Sequence, residues 1–430
     1  MTQPSYAASD GQLNLKSRWP RHDEDEIAAV VAVLRSGRVN SLHHGEQTSA
    51  FEAAFAAYCG MPYALALANG TLALELGLRA LGIGAGDEVI VPARSFFASA
   101  SAVVACGARP VFADVDPISQ TICPASIRQL LTSRTRAILC VHLAGWPCAM
   151  DELGEICRTR NLFLVEDCAQ AHGATFAGQM VGSFGDVAAF SFCTDKIMST
   201  GGEGGMLLVR DSAVFERAWA YKDHGKDRRR TMMPSVPSAE FRWLHDSFGS
   251  NFRMTEMQAA IGLAQLAKLP AWLDARRRNA ARLAQALRKT PLVRVVEVPD
   301  HIGHAGYKFY AFADRFRDEL AAAIIARGIS CGSGSCPEMY REAAIAGSDL
   351  APAIRLPHAR KLGETSLMFQ IDPTLDEAAM TAFGKIVGAA AWQIAADWPQ
   401  EHQPQEHRPQ EHRPQEHLSQ DFRPQGRSAA

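Results

Sequence analysis

The chain has 430 residues, 47% of them apolar, and 44 Lys and Arg against 46 Asp and Glu leave a formal net charge of −2. That length accommodates two domains around a sizeable core, and the near-neutral balance excludes a general nucleic-acid binder, whose basic face shows in the charge count. No run approaches the ~20 apolar residues needed to span a bilayer, "MTQPSYAASDGQLNLKSRWP" lacks the apolar stretch of a signal peptide, and the ten cysteines are scattered without a Cys-x-x-Cys pair, so the expectation is a soluble cytoplasmic protein with buried free thiols.

In chain order, residues 1–20 read as a polar arm. From Asp23 to Tyr58 the apolar residues fall at helical spacing, interrupted by "SGRVNSLHHGEQ". Strands and helices then alternate. "YALALAN", "DEVIVPA", "RPVFADVD", "RAILCVHL" and "LFLVEDCA" read as strands; "GTLALELGLRAL", "SFFASASAVVACG", "ASIRQLL" and "DELGEICRTR" read as the helices between them. This alternation predicts crossover connections and a mainly parallel sheet, with ligands beyond the carboxyl ends of the strands. The long helical pattern "TEMQAAIGLAQLAKLPAWLDARRRNAARLAQAL" contains Pro270, which is expected to break or kink it. The division expected is a large domain over 21–270, a smaller C-terminal α/β domain over 271–396, and a disordered tail over 397–430. In that tail the pentads "PQEHQ", "PQEHR", "PQEHR" and "PQEHL" offer no apolar face.

Four features at strand ends bear on chemistry. Asn69-Gly70-Thr71 lies between a strand and a helix, which suits a phosphate at a helix start or an N-cap by Thr71. Phe96 or Phe97 stands at the tip of the next strand, as an aromatic plate or as core. The buried strand "FLVEDCAQAHGA" ends in Glu166 and Asp167, followed by Gln170 and His172. A carboxylate there needs a cation, in a salt bridge or in a catalytic pairing with His172. No third ligand stands at metal spacing, so a metal is not expected. "FSFCTDKIMSTGGEGGM" carries Ser191 and Lys196 beside four glycines, as a solvated charge or as a lysine that forms a Schiff base. A phosphate cradle, an aromatic plate, a carboxylate for a ring nitrogen and a lysine for an aldehyde together meet the needs of pyridoxal 5′-phosphate (PLP).

From about residue 20 to 390 the chain also resembles the DegT/DnrJ/EryC1/StrS family of sugar aminotransferases. The resemblance lies in "SGRVN", "FEAAFAAYCG", "ANGTLALELGLRALGIGAGDEVIVPARSFFASASAVVACGARPVFADVD", "HLAGWPCAMDEL", "VEDCAQAHGA", "FSFCTDK", "GGEGGM" and "GSNFRMTEMQAAIGLAQL". It implies PLP fold type I (aspartate aminotransferase-like), a large domain with a mainly parallel mixed sheet plus a smaller C-terminal α/β domain. Residue by residue, it implies that Lys196 binds the cofactor aldehyde and relays protons. Asp167 pairs with the pyridine nitrogen, Gln170 meets the ring hydroxyl, and Phe96 stacks on the ring. Gly70, Thr71 and Ser191 hold the phosphate, and Asn251 reaches the phosphate of a second subunit in a homodimer with shared sites. The implied reaction moves an amino group from L-glutamate to a keto-sugar, nucleotide-linked, for amino-sugar, polysaccharide or secondary-metabolite biosynthesis. Three alternatives stand beside it: a keto-cyclitol aminotransferase, a sugar dehydratase with histidine in place of the lysine, which Lys196 disfavours, and a non-catalytic PLP-fold binding protein. Two departures are notable. "KIMSTGGEGG" has one additional glycine after the lysine, and Arg228, Arg229 and Arg230 form a basic run suited to a nucleotide diphosphate or to solvent.

Overall fold

The computed structural model describes residues 15–233 and 241–397; the PQEH repeats lie outside the described residues. The strands are β1 (Tyr63–Leu67), β2 (Glu88–Pro92), β3 (Arg109–Ala113), β4 (Thr135–Val141), β5 (Phe163–Asp167), β6 (Thr175–Phe176), β7 (Gln179–Met180), β8 (Val187–Ser191), β9 (Gly205–Val209), β10 (Arg294–Val295), β11 (Ile302–Gly303), β12 (Phe309–Phe312), β13 (Cys331–Gly332) and β14 (Ser366–Phe369). Seven of them form one sheet in the order β1-β9-β8-β5-β4-β2-β3. Strand β9 runs antiparallel to both neighbours, and the pairs from β8 through β3 are parallel. Runs such as "EVIVP", "VAAFS" and "GMLLV" are buried at every position, as a sheet covered on both faces requires. Because successive side chains alternate faces, Leu65 and Leu67 enter one core while Ala64 and Ala66 enter another. The helices Gly70–Ala80, Ala98–Ala105, Pro124–Leu130 and Met150–Arg160 make the connections between parallel strands, so the α/β reading holds.

A second sheet, β10-β12-β14-β13, is antiparallel throughout. It packs with the helices Arg317–Ala326 and Glu377–Ala396 around Phe309, Ile324, Phe369 and Phe383. A third, β11-β6-β7, ties residues 302–303 to the loop after β5.

The break expected at Pro270 does not occur. One helix runs from Glu256 to Leu287 with Pro270 inside it. Pro270 is exposed, and its ring removes one donor from the intrahelical ladder. Meanwhile Leu269 and Leu273 beside it are buried, and Thr255 and Gln258 close a reciprocal capping box at the start. The boundary expected at residue 270 therefore falls inside a helix that gives Leu269 and Leu273 to the first body and Leu283 and Leu287 to the second.

Candidate active site

A cavity of about 690 Å³ opens at the carboxyl ends of β1, β5 and β8, and it gathers Gly70, Thr71, Phe96, Asp167, Gln170, Ser191 and Lys196. The first turn of the helix Gly70–Ala80 forms one end. Asn69, not Thr71, is its cap: Asn69 Oδ1 accepts from the Leu72 amide at 2.9 Å. Thr71 lines the cavity, and the Gly70 and Thr71 amides, in the first turn, have no carbonyls of their own helix to bond. Gly70 is required sterically, because a Cβ there would lie 2.6 Å from Ser191 Cβ. The helix start and the end of β8 thus make one concave wall of amides and hydroxyls. Phe96 is 64% exposed and lines the cavity; its neighbour Phe97 is partly buried and packs against the core.

The adjacent carboxylates of β5 point to opposite faces. Glu166 accepts from His142 Nε2 at 3.1 Å and from the amides of Gly182, Phe184 and Gly185 at 2.8, 2.9 and 2.7 Å. The Cys148 amide donates to His142 Nδ1 at 3.0 Å, which places the imidazole proton on Nε2. Glu166, His142 and Cys168 are all buried, and the hydrogen bonds of Glu166 and His142 account for both as parts of the scaffold. Asp167 instead faces the cavity. It accepts from Ser99 Oγ at 3.2 Å and from the Ala169 amide at 3.1 Å. Burial pushes its carboxyl up, against the pull of the Ala169 amide, Lys196 and Ser99. A buried acid with two neutral donors is completed by a cationic N–H, which a protonated pyridine ring supplies; this is the observation by which the residues fit PLP. His172 does not join Asp167. It is buried against Phe190 and Phe192, and burial, aided by Lys196 and Arg276, pushes its imidazole down to about 3.

Gln170 Oε1 accepts from the Ala144 amide at 2.7 Å. Ala144 is held at φ 59, and its carbonyl in turn accepts from the Tyr307 and Lys308 amides at 3.1 and 3.5 Å. Gly145 allows this approach: a Cβ there would stand 2.9 Å from that of Ala305. The loop 143–145 thereby brings Tyr307 and Lys308 into the cavity wall.

Lys196 is more closely surrounded than its apolar flanks suggest. Its Nζ lies 3.6 Å from Asp195 Oδ1 and 3.5 Å from the Tyr307 hydroxyl, and that hydroxyl donates a short hydrogen bond to Asp195 Oδ2. Its carbonyl accepts from Trp19 Nε1 at 2.7 Å. The Arg276 guanidinium stacks over the Trp19 ring at 4.9 Å and reaches the Gly306 and Tyr307 carbonyls. Sequence reasoning missed Asp195, Tyr307, Lys308 and Trp19. Only Asp195, next to the lysine, carried a local signal. The glycines after Lys196 form a returning loop: Gly201 and Gly202 take positive φ, and the Gly202 and Gly204 carbonyls accept from the Thr194 and Phe192 amides.

Asn251 is exposed and does not line this cavity. Of the basic run, Arg228 is paired with Glu216 at 2.8 Å and Arg230 with Asp246 at 2.9 Å, while Arg229 is exposed; none lines the cavity. Among the described residues no helix is long and apolar enough to cross a membrane, and all ten cysteines are free.

A lysine, a buried acid, an exposed aromatic and a helix start at the strand ends of a mixed sheet define a fold type I PLP enzyme. The comparisons specify it further. Residues 20–387 match the model of the DegT/DnrJ/EryC1/StrS aminotransferase family, and the chain belongs to that family of PLP-dependent aminotransferases. It is similar to GDP-perosamine synthase of Caulobacter vibrioides, 44% identical over 60% of this chain and 66% of that enzyme. It is also similar to L-glutamine:2-deoxy-scyllo-inosose aminotransferase of Streptomyces fradiae, 42% identical over 62% of this chain and 63% of the other. In both cases the match spans less than two thirds of the relative. The solved structure of an aminotransferase from Psychrobacter cryohalolentis superposes with a TM-score of 0.85 at 44% identity, covering 88% of this chain and 99% of that one.

Proposed function

We propose that this chain moves an amino group from L-glutamate to the carbonyl of a keto-sugar linked to a nucleotide, as a cytoplasmic homodimer. The observation that carries the reading is the convergence of Lys196, Asp167 and the Gly70–Ser191 wall in one cavity. Gly70, Thr71 and Ser191 would hold the phosphate of PLP, Asp167 its ring nitrogen, Gln170 its hydroxyl and Phe96 its face. When bound, PLP supplies an electron sink for the carbon that loses a proton and carries the amino group between the two half-reactions.

The chain's own residues supply the rest. Lys196 takes the proton from the donor's α-carbon and returns one at the cofactor carbon, then does the reverse on the acceptor. The Tyr307 hydroxyl and the Asp195 carboxylate, 3.5 and 3.6 Å away, orient its amine. Asp167 keeps the ring nitrogen protonated, which keeps the sink effective. Asn251, exposed on its own protomer, reaches a second copy's phosphate in this reading. GDP-perosamine synthase favours a nucleotide-linked acceptor by its name. The Streptomyces fradiae relative favours a second reading, a keto-cyclitol acceptor with L-glutamine as donor.

The test is an absorbance spectrum of the PLP-loaded protein before and after L-glutamate, with Lys196→Ala alongside. A visible band that moves to the near ultraviolet with glutamate, and is missing in the variant, is the expected result. A band that glutamate leaves unchanged but L-glutamine moves favours the second reading. A protein that takes up no PLP overturns both.

A further inference from the structure

Asp195 faces two ammonium groups. Its carboxylate lies 3.6 Å from Lys196 Nζ and 4.0 Å from Lys308 Nζ, and it also accepts from Tyr307. Lys308 is nearly buried, its side chain only 10% exposed. Among the described residues its one hydrogen-bond acceptor is the neutral Gln370 Oε1 at 2.7 Å, and the nearest aromatic face is the Tyr307 ring, 4.5 Å from Nζ. The backbone of Lys308 is pinned to the Ala144 carbonyl, so its position follows that of Gln170, which holds the Ala144 amide. Asp195 is thus shared between two ammoniums, and Lys308, which lines the cavity, has three N–H donors of which Gln370 takes one. Burial pushes the Lys308 ammonium down to about 8, the direction an incoming anion reverses.

We infer that Lys308 binds the carboxylate of the amino donor and is the residue that selects an amino acid in the first half-reaction. This rests on the aminotransferase reading above. Two anions are available to such a cation: the donor's carboxylate and the acceptor's diphosphate. The α-carboxylate is one bond from the carbon whose amine reacts with the group bound at Lys196. The diphosphate is separated from its reacting carbon by part of a sugar ring. A cation that shares a carboxylate with Lys196 is placed for the nearer anion. Nothing local in "HAGYKFYAF" marks this lysine, because its neighbours Asp195 and Gln370 stand 113 and 62 residues away.

The experiment compares PLP-loaded wild type, Lys308→Met and Lys308→Arg. Maleate, a dicarboxylate without an amine, is titrated calorimetrically; L-glutamate is titrated by the shift of the visible band; GDP is titrated as a probe of the diphosphate. In Lys308→Met the maleate affinity is expected to fall, and half-saturating glutamate to rise, by about ten- to a hundredfold, the worth of a hydrogen bond to a charged group. GDP affinity and the visible band of bound PLP stay as in wild type, and Lys308→Arg recovers most of the loss. Unchanged maleate and glutamate titrations in Lys308→Met overturn the inference. So does a selective loss of GDP affinity, which assigns the cation to the acceptor. If maleate binds through Lys308 but L-glutamate leaves the wild-type band unmoved, the carboxylate site stands and the reading of the donor falls.

Discussion

Asp167 and Glu166 are neighbours in sequence and opposites in role, because a strand turns successive side chains to opposite faces. Glu166 is saturated by His142 and three amides, whereas Asp167 keeps capacity toward the cavity. The same scale decides Gly70. Its φ is not in the left-handed region, so an alanine there suffers only the 2.6 Å approach to Ser191 Cβ. Gly70→Ala is expected to weaken PLP binding by about tenfold or more, since overpacking costs about 1–3 kcal/mol and the wall between helix and strand must open; equilibrium titration with PLP checks this. His172 makes a pH prediction. Its imidazole is at about 3 in the folded chain against an ordinary 6.5, so between those values the unfolded chain binds a proton the folded one does not. The contribution is complete above pH 6.5 and is lost as pH falls, by about 1.4 kcal/mol per pH unit. His172→Leu is expected to flatten the fall of urea midpoint with acidification, and an unchanged slope would refute the assignment.

At the scale of elements, the helix Glu256–Leu287 shows tertiary packing overruling a local breaker. Pro270 sits on the exposed side, where the lost amide bond is its main effect. Pro270→Ala restores that bond and is expected to stabilise the protein by about 1 kcal/mol or more toward urea, given the ~3 kcal/mol penalty of proline inside helices. Strands β1 to β5 and the helices between them were legible because each is a short apolar run or an amphipathic repeat bounded by turn residues, whereas β8 and β9, on either side of the Lys196 loop, were not read as strands. Lys196, Asp167 and Gly70 were legible because each sits at a strand end in a local motif. Tyr307, Lys308 and Trp19 were not. They reach the site through the loop 143–145, through Arg276 and through a hydrogen bond spanning 177 residues, and no window along the chain contains both partners of such contacts. The cap reading offered for Thr71 falls to Asn69 for a related reason: both are competent caps, and only the backbone geometry chooses between them.

For the whole molecule, the site is built from both bodies: the main sheet supplies Lys196 and Asp167, and the segment entering β12 supplies Tyr307 and Lys308. The PQEH repeats lie outside the described residues. Deleting residues 399–430 is expected to leave turnover of the PLP-loaded enzyme unchanged, and a loss of several-fold would assign the tail a part in the reaction. The unbroken helix has a consequence for the two bodies. It is embedded in both cores through Leu269 and Leu273 on one side and Leu283 and Leu287 on the other. A rotation of one body against the other would have to bend this helix or withdraw one of those leucine pairs from the core it fills.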